Sequence, residues 1–276
     1  ATSAVFMPAL TSWQSRRGFH QMSEFSIGIS GSWPPRTQPA VAALWEQRLR
    51  RYRGFEHLEP KLLPPDTPTE PLAAGFGLST LESCGFELFD SSGPITMLTG
   101  AWTVPHLNHS PGGGPPNHFR TFFGLGFLDV HVEMTVDTAQ AITTLVRIHT
   151  GAQVALPVSP GDTISATLCL QANTAGAAFY GLVNETTGQT MNFNIDTGFP
   201  PAVAINAGVS RGSAFNGPPD PLARFGVVYF DEVVAYSTKG TRLLTDGVAT
   251  TMTDRNGKTL AIPQRLNAFK ALYRSS

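Results

Sequence analysis

From about residue 81 onward, short segments of this chain alternate apolar and polar residues and are repeatedly interrupted by Gly and Pro. That pattern is the strongest limit on what the chain can fold into. A β-strand sends successive side chains to opposite faces, so such a segment buries one face and leaves the other for solvent or ligand. TGAWTVP (99–105) alternates and stops at a proline, and FLDVHVEMTV (127–136) alternates cleanly. TLVRIHT (144–150), TISATLCL (163–170), FYGLV (179–183), TMNFNI (190–195) and FGVVYFDEVVAY (225–236) follow. The separators SPGGGPP, SPGD, ETTGQ and FNGPPDP are turn chemistry, and DRNGKT (254–259) adds an Asn-Gly turn. No helical period lies between these segments. Seven or more short strands therefore predict an all-β fold, an antiparallel two-sheet sandwich.

Composition agrees with that reading. The 27 glycines and 22 prolines are interleaved with apolar and aromatic residues, which argues for many turns rather than disorder or a collagen-like repeat. With 276 residues the chain can bury an ample core as one large β domain or two small ones. A net charge of −1 offers no electrostatic footprint for nucleic acid, so no nucleic-acid partner is expected. No apolar run approaches the ~18 residues of a membrane span. Cys84 and Cys169 match no zinc or redox spacing, and two buried free thiols are expected ahead of a disulfide. The visible start at Ala1 leaves the compartment open.

Residues 1–80 read as an N-terminal extension and 81–276 as the sandwich domain. Within the extension, residues 40–53 place Val41, Leu44, Trp45, Leu49 and Tyr52 at helical spacing, with Arg48, Arg50, Arg51 and Arg53 mostly around the other face. This predicts one amphipathic helix, preceded by Pro34-Pro35 and followed by Gly54 and a Pro-rich tether through Pro60, Pro64, Pro65 and Pro68. Either the apolar stripe packs on the main domain while the arginines face water, or the segment is a docking arm or a pro-segment. In the second case the protein could self-associate or assemble through residues 1–80.

The strand at 127–136 carries the chemistry of greatest interest. Alternation sends Val130, Val132 and Met134 to one face and Asp129, His131 and Glu133 to the other. The next strand alternates Arg147 and His149 onto a common side. If the two strands pair, Asp129, His131, Glu133, Arg147 and His149 form one polar cluster, since cross-strand neighbours lie ~4.5–5.5 Å apart. Such a face is ordinarily the wetted side of a half-buried sheet. Only 14% of the chain is charged, however, so this local concentration stands out. His131, Glu133 and His149 could alternatively converge on a divalent metal, although no fourth ligand is identifiable; otherwise no cofactor is expected. No phosphate loop, His-Glu-x-x-His helix or Gly-x-Ser-x-Gly elbow occurs. Asn108-His-Ser and Asn184-Glu-Thr fit the N-glycosylation pattern.

The order TGAWTVP, a Gly/Pro/Ser-rich loop, FRTFFGLGF (119–127), VSPGDTISATL (158–168), LVNETTGQTMNF (182–193) and PLARFGVVYF (221–230) resembles the glutamic peptidases, or eqolisins. The likeness spans roughly residues 84–240 and resides in the series of blocks rather than in any one of them. It implies a concanavalin-like, jelly-roll sandwich with one sheet curved around a substrate cleft. The family's catalytic pair is a Gln in an Ile-Leu-Gln-Thr-Gly strand and a Glu ending Ala-Glu-Trp-Ile-Val-Glu. By this resemblance Asp129 occupies the Gln position, and the second strand corresponds to 206–212, where no Glu occurs. A carboxylate would repel an oxyanion, and without the Glu the water-activating base is missing, so the usual mechanism is not expected.

The resemblance places the Asp129, His131 and Glu133 face along the cleft, with Ser210 or Arg211 approaching from the second strand. The leading expectation is a repurposed enzyme or pseudoenzyme. Its polar cleft would bind a small molecule, glycan or peptide, or run another acid–base reaction. In that reaction His131 would transfer protons, Asp129 or Glu133 would orient it, and Arg147 would hold an anionic group. The alternatives are a divergent acid endopeptidase using Asp129 or Glu133 as base, and a structural protein docking through residues 1–80.

Overall fold

The computed structural model describes residues 39–64, 80–110, 116–170, 177–211, 220–265 and 269–273. The chain enters through helix α1 (Pro39–Arg51) and two short strands, β1 (Glu56–His57) and β2 (Leu62–Leu63). The sandwich then runs through β3 (Ser83–Phe89), β4 (Ile95–Thr103), β5 (Asn117–Leu125), β6 (Leu128–Val136), β7 (Ile142–Ile148) and β8 (Gln153–Val154). It continues with β9 (Thr163–Leu170), β10 (Ala177–Asn184), β11 (Gln189–Asp196), β12 (Ala204–Ser210) and β13 (Val227–Ser237). β14 (Gly240–Leu243), β15 (Val248–Thr250), β16 (Met252–Thr253), β17 (Thr259–Arg265) and β18 (Phe269–Tyr273) complete it.

Among the described residues these strands form two sheets. The ten-stranded sheet has the order β1-β11-β10-β9-β4-β13-β18-β17-β16, with β14 beside β13; the eight-stranded sheet has the order β15-β3-β12-β5-β6-β7-β8-β2. The antiparallel sandwich expected from the alternation is therefore what forms, with one parallel pairing, β1 on β11. The strand boundaries lie within a few residues of the alternating segments. The segment 83–89, which was not read as a strand from the sequence, forms β3.

The core fills the space between the sheets. Trp102, Phe119, Phe123, Tyr180, Phe193, Phe230 and Phe269 are all fully buried there. The Trp102 ring stacks on Phe123 at 5.4 Å and Phe230 on Phe269 at 4.5 Å. Each such aromatic contributes about 2 kcal/mol or more by leaving water. Cys84 and Cys169 are free and buried, and burial pushes the Cys84 thiol up to about 12, so both are inert core residues.

Two turns fix the strands that carry the polar face. The β5–β6 hairpin closes through Gly126 and Phe127, with Gly126 at φ +59, a conformation that favours glycine at the first central position of a two-residue turn. That turn sets Gly124 opposite Asp129, Phe122 opposite His131 and Arg120 opposite Glu133. At the β6–β7 turn the Asp137 carboxylate accepts a hydrogen bond from the Ala141 amide at 2.9 Å.

Helix α1 covers part of the outer face of the ten-stranded sheet. Leu44 packs beside Met97, Cys169 and Phe179, and Tyr52 is buried. Leu49 is half exposed, however, and Arg48 instead turns inward to donate to the Thr167 hydroxyl. Arg51 meets Glu185 at 2.7 Å and Glu232 at 3.6 Å, and the Tyr52 hydroxyl donates to Glu185 at 2.8 Å. Arg48 and Arg51 therefore help dock the helix, where the sequence pattern had placed them in water, while Arg50 and Arg53 are exposed as expected. The position of Arg48, Arg50 and Arg51 in the last turn also favours the negative end of the helix dipole. Because β1 and β2 join the two sheets, the extension is built into the sandwich before residue 80. The side chains of Val41 and Trp45, Pro34-Pro35, most of the Pro-rich tether and the centres of the SPGGGPP and FNGPPDP loops lie outside the described residues. Among the described residues, no helix is long and apolar enough to cross a membrane.

Candidate functional site

Strand β6 builds the site by alternation. Val130, Val132 and Met134 enter the core, while Asp129, His131 and Glu133 project from the other face of the eight-stranded sheet. Residues on an outward face are ordinarily wet. Here Asp129 and His131 are only 4% exposed. Removing such groups from water is unfavourable unless they find partners, and the partners come from the adjoining strands.

Asp129 and His131, two residues apart on β6, approach to 3.5 Å between Oδ2 and Nδ1. Glu133 Oε2 lies 3.2 Å from Arg147 Nε on β7 and 3.5 Å from Arg120 Nη2 on β5. None of these contacts has hydrogen-bond alignment, and the attraction of Glu133 to the two guanidiniums is Coulombic. The one aligned bond of Arg147 runs from Nη1 to the Gly151 carbonyl at 2.9 Å. The structure therefore gathers four of the five residues picked out by alternation and adds Arg120 to them.

His149 departs from the expectation. It lies just past the end of β7, and its Nδ1 sits 2.6 Å from the buried Tyr180 hydroxyl on β10 of the opposite sheet, with Phe199 edge-on to its ring. Alternation applies only while the strand continues, and β7 stops at Ile148. Burial lowers the His149 pKa, partly countered by Asp129, and raises that of Tyr180 well above the usual phenol range. His131, Glu133 and His149 consequently do not converge, and among the described residues no group of three His, Cys, Asp or Glu side chains could hold a metal ion.

Sequence reading missed the contribution of β3. Its Ser83, Gly85 and Glu87 face outward beside Ser210, Gly208 and Asn206 of β12. One row across the face is thus Glu87, Asn206, Gly124 and Asp129. Glu87 is buried there, opposite a carboxamide. In the next row Gly85 faces Gly208 so closely that a Cβ on Gly208 would sit 2.2 Å from the Cys84 carbonyl oxygen. Asn206 Oδ1 lies only 2.5 Å from where a Cβ of Gly124 would be, so its side chain leans over Gly124. These glycines let neighbouring backbone and the Asn206 side chain lie this close. The signal was present in Cys84-Gly-Phe-Glu-Leu88, an alternation with glycine and glutamate on the outer side. Of the two residues expected from the second strand, Ser210 faces the site with a buried Oγ, whereas Arg211 Nε donates to the Leu81 carbonyl at the edge.

Of the two glycosylation-type triplets, Asn184 is fully buried. Its amide donates to Pro157 O and Asp162, so it cannot carry a glycan in this fold.

A two-sheet antiparallel sandwich with a polar, nearly dry outer face on one sheet defines the class. The model of the Peptidase A4 family matches residues 82–265, and the chain belongs to that family. Among solved structures it is similar to SCP-B, described as a member of the eqolisin family in complex with the tripeptide Ala-Ile-His, at 15% identity and a TM-score of 0.55, over 70% of this chain and 98% of that one. It is also similar to scytalido-glutamic peptidase with a peptide-based transition-state analogue, at 14% identity and a TM-score of 0.54, over 70% of this chain and 98% of that one. At such identities the likeness speaks for the fold alone. No curated protein matches the chain by sequence.

Proposed function

We propose that the outer face of the eight-stranded sheet is a peptide-binding cleft in which the glutamic-peptidase chemistry of the family has been replaced. The observation that carries this reading is the engagement of both β6 carboxylates: Glu133 is held between Arg120 and Arg147, and Asp129 is held against His131. A general base needs a lone pair aimed at the attacking water, and an oxyanion needs a donor. Here Glu133 lies against two guanidiniums and Asp129 against an imidazole, and the position assigned by resemblance to the amide donor holds Asp129. Peptide is favoured over glycan because SCP-B and scytalido-glutamic peptidase were captured with peptide ligands.

A second reading is favoured by one specific contact. Glu87 stands directly opposite Asn206, so a carboxylate and a carboxamide are cross-strand neighbours on this face. In that reading Glu87 activates water and the Asn206 amide donates to the oxyanion of a divergent endopeptidase.

Incubating the full chain with denatured protein substrate across the range from acid to neutral pH, alongside titration with mixed tripeptides, separates the two. The proposal expects saturable peptide binding that His131→Ala weakens about tenfold, with no cleavage. Cleavage at acid pH that disappears in Glu87→Gln would overturn it in favour of the second reading. Peptide binding unchanged in His131→Ala would remove the face from function altogether.

A further inference from the structure

On the opposite side of the molecule, helix α1 does not close completely against the ten-stranded sheet. A cavity of about 80 Å³ remains between the end of the helix and strands β9, β10 and β11, room for a small ion or a few waters rather than a large ligand. Its chemistry is one-sided. Arg48, Arg53 and His57 line it, and among the described residues no carboxylate does. Glu185 and Glu232 lie instead on the Arg51 side of the helix, where they take part in docking.

The wall offered by the sheet is polar and uncharged. Thr167 projects from β9 and Thr190 and Asn192 from β11, with Gly181 of β10 between them, where the Asn192 side chain and the Phe179 ring lean in. Arg48 is tethered by its Nη1 to the Thr167 hydroxyl, which fixes the guanidinium plane and leaves the rest of the fork available. Burial lowers the pKa of Arg48, against the opposing influence of Tyr52, Glu185 and Glu232. A guanidinium held away from water is stabilised by a bound anion more than one on the surface.

We infer that this cavity is a binding site for a small oxyanion, a carboxylate or a phosphate group. Arg48 supplies the fixed fork, Arg53 and His57 close over the anion from the exposed side, and the hydroxyls and amide of the sheet complete its hydrogen bonds. The site lies on the sheet opposite the polar face, so it stands or falls independently of peptide binding there.

The test is calorimetric titration of the full chain with inorganic phosphate and, separately, with succinate, at constant ionic strength. The two probes distinguish a phosphate ligand from a carboxylate ligand. The variants are Arg53→Gln and His57→Gln, both exposed, so the fold and Tm should be retained. The expected result is saturable single-site binding of one or both probes, weakened about tenfold in Arg53→Gln and severalfold in His57→Gln. Failure of both probes to bind saturably at concentrations up to about 20 mM would overturn the inference, because that corresponds to an affinity weaker than one charge-assisted contact supplies. Undiminished binding in both variants would overturn it equally.

Discussion

On the outer face of the ten-stranded sheet the cations come from a helix laid across it. On the outer face of the eight-stranded sheet they come from the strands themselves. Arg51 of α1 is 49% exposed while pairing with Glu185, a partner 134 residues away along the chain. On the other sheet Arg147 is 8% exposed and Glu133 15%, and the pair is set by the register of adjacent strands. The first arrangement can loosen without disturbing the sandwich, since water can replace either partner. The second is held more tightly, because both partners stand on backbone fixed by the sheet ladder and their neighbours keep most of their surface from water. Polar groups that are both dry and fixed are the ones suited to bind or react, since their orientation costs nothing further when a ligand arrives.

The largest expected effect tests this contrast at its strongest point. Glu133→Ala leaves Arg120 and Arg147 facing each other without a counter-charge and should destabilise the fold by about 3 kcal/mol in urea unfolding. A loss below about 1 kcal/mol would mean that the two outer faces are equally solvated.

An intermediate effect is expected at His149. Its pKa is depressed in the fold by burial, so the unfolded chain binds the proton first as pH falls. Its contribution to stability is complete above the unfolded value of about 6.5 and is lost as pH falls through the lower folded value. The urea midpoint should therefore decline below about pH 6.5, and the decline should be shallower in His149→Gln. Equal slopes would show that the contact with Tyr180 is not a buried one in solution.

The smallest effect belongs to the helix. Glu185→Gln removes the charge met by Arg51 and Tyr52, and it should cost under about 1 kcal/mol globally. Amide exchange in residues 42–52 should nevertheless accelerate, because that acceptor holds the end of α1 down. Unchanged exchange would mean that Leu44 and Tyr52 dock the helix by packing alone.

How much of this was legible in the sequence varies by element. Strand β6 was readable in full, because period-two alternation is local: Val130, Val132 and Met134 could face only one way and Asp129, His131 and Glu133 only the other. The pairing of β6 with β7 followed from the short turn at 137–141. His149 was misassigned because alternation carries no information about where a strand ends. Arg48 was placed in water because helical periodicity sorts residues by polarity and cannot see a threonine hydroxyl waiting on another strand. Glu87 was overlooked because β3 becomes relevant only through β12, which lies between β3 and β5 and is more than one hundred residues distant in the chain.

The sequence by itself determined the fold class, the inward and outward faces of the strands that alternate, and the likeness to the glutamic-peptidase family. Those properties depend on local geometry and on the order of blocks along the chain. Only the tertiary structure decided which outward residues meet. It set Glu133 between two arginines, drew His149 across to Tyr180, and brought Glu87 to face Asn206. The reason is physical: alternation fixes the direction of a side chain within its own strand, whereas the neighbour it meets depends on strand order and register, which are set by the packing of the whole sandwich.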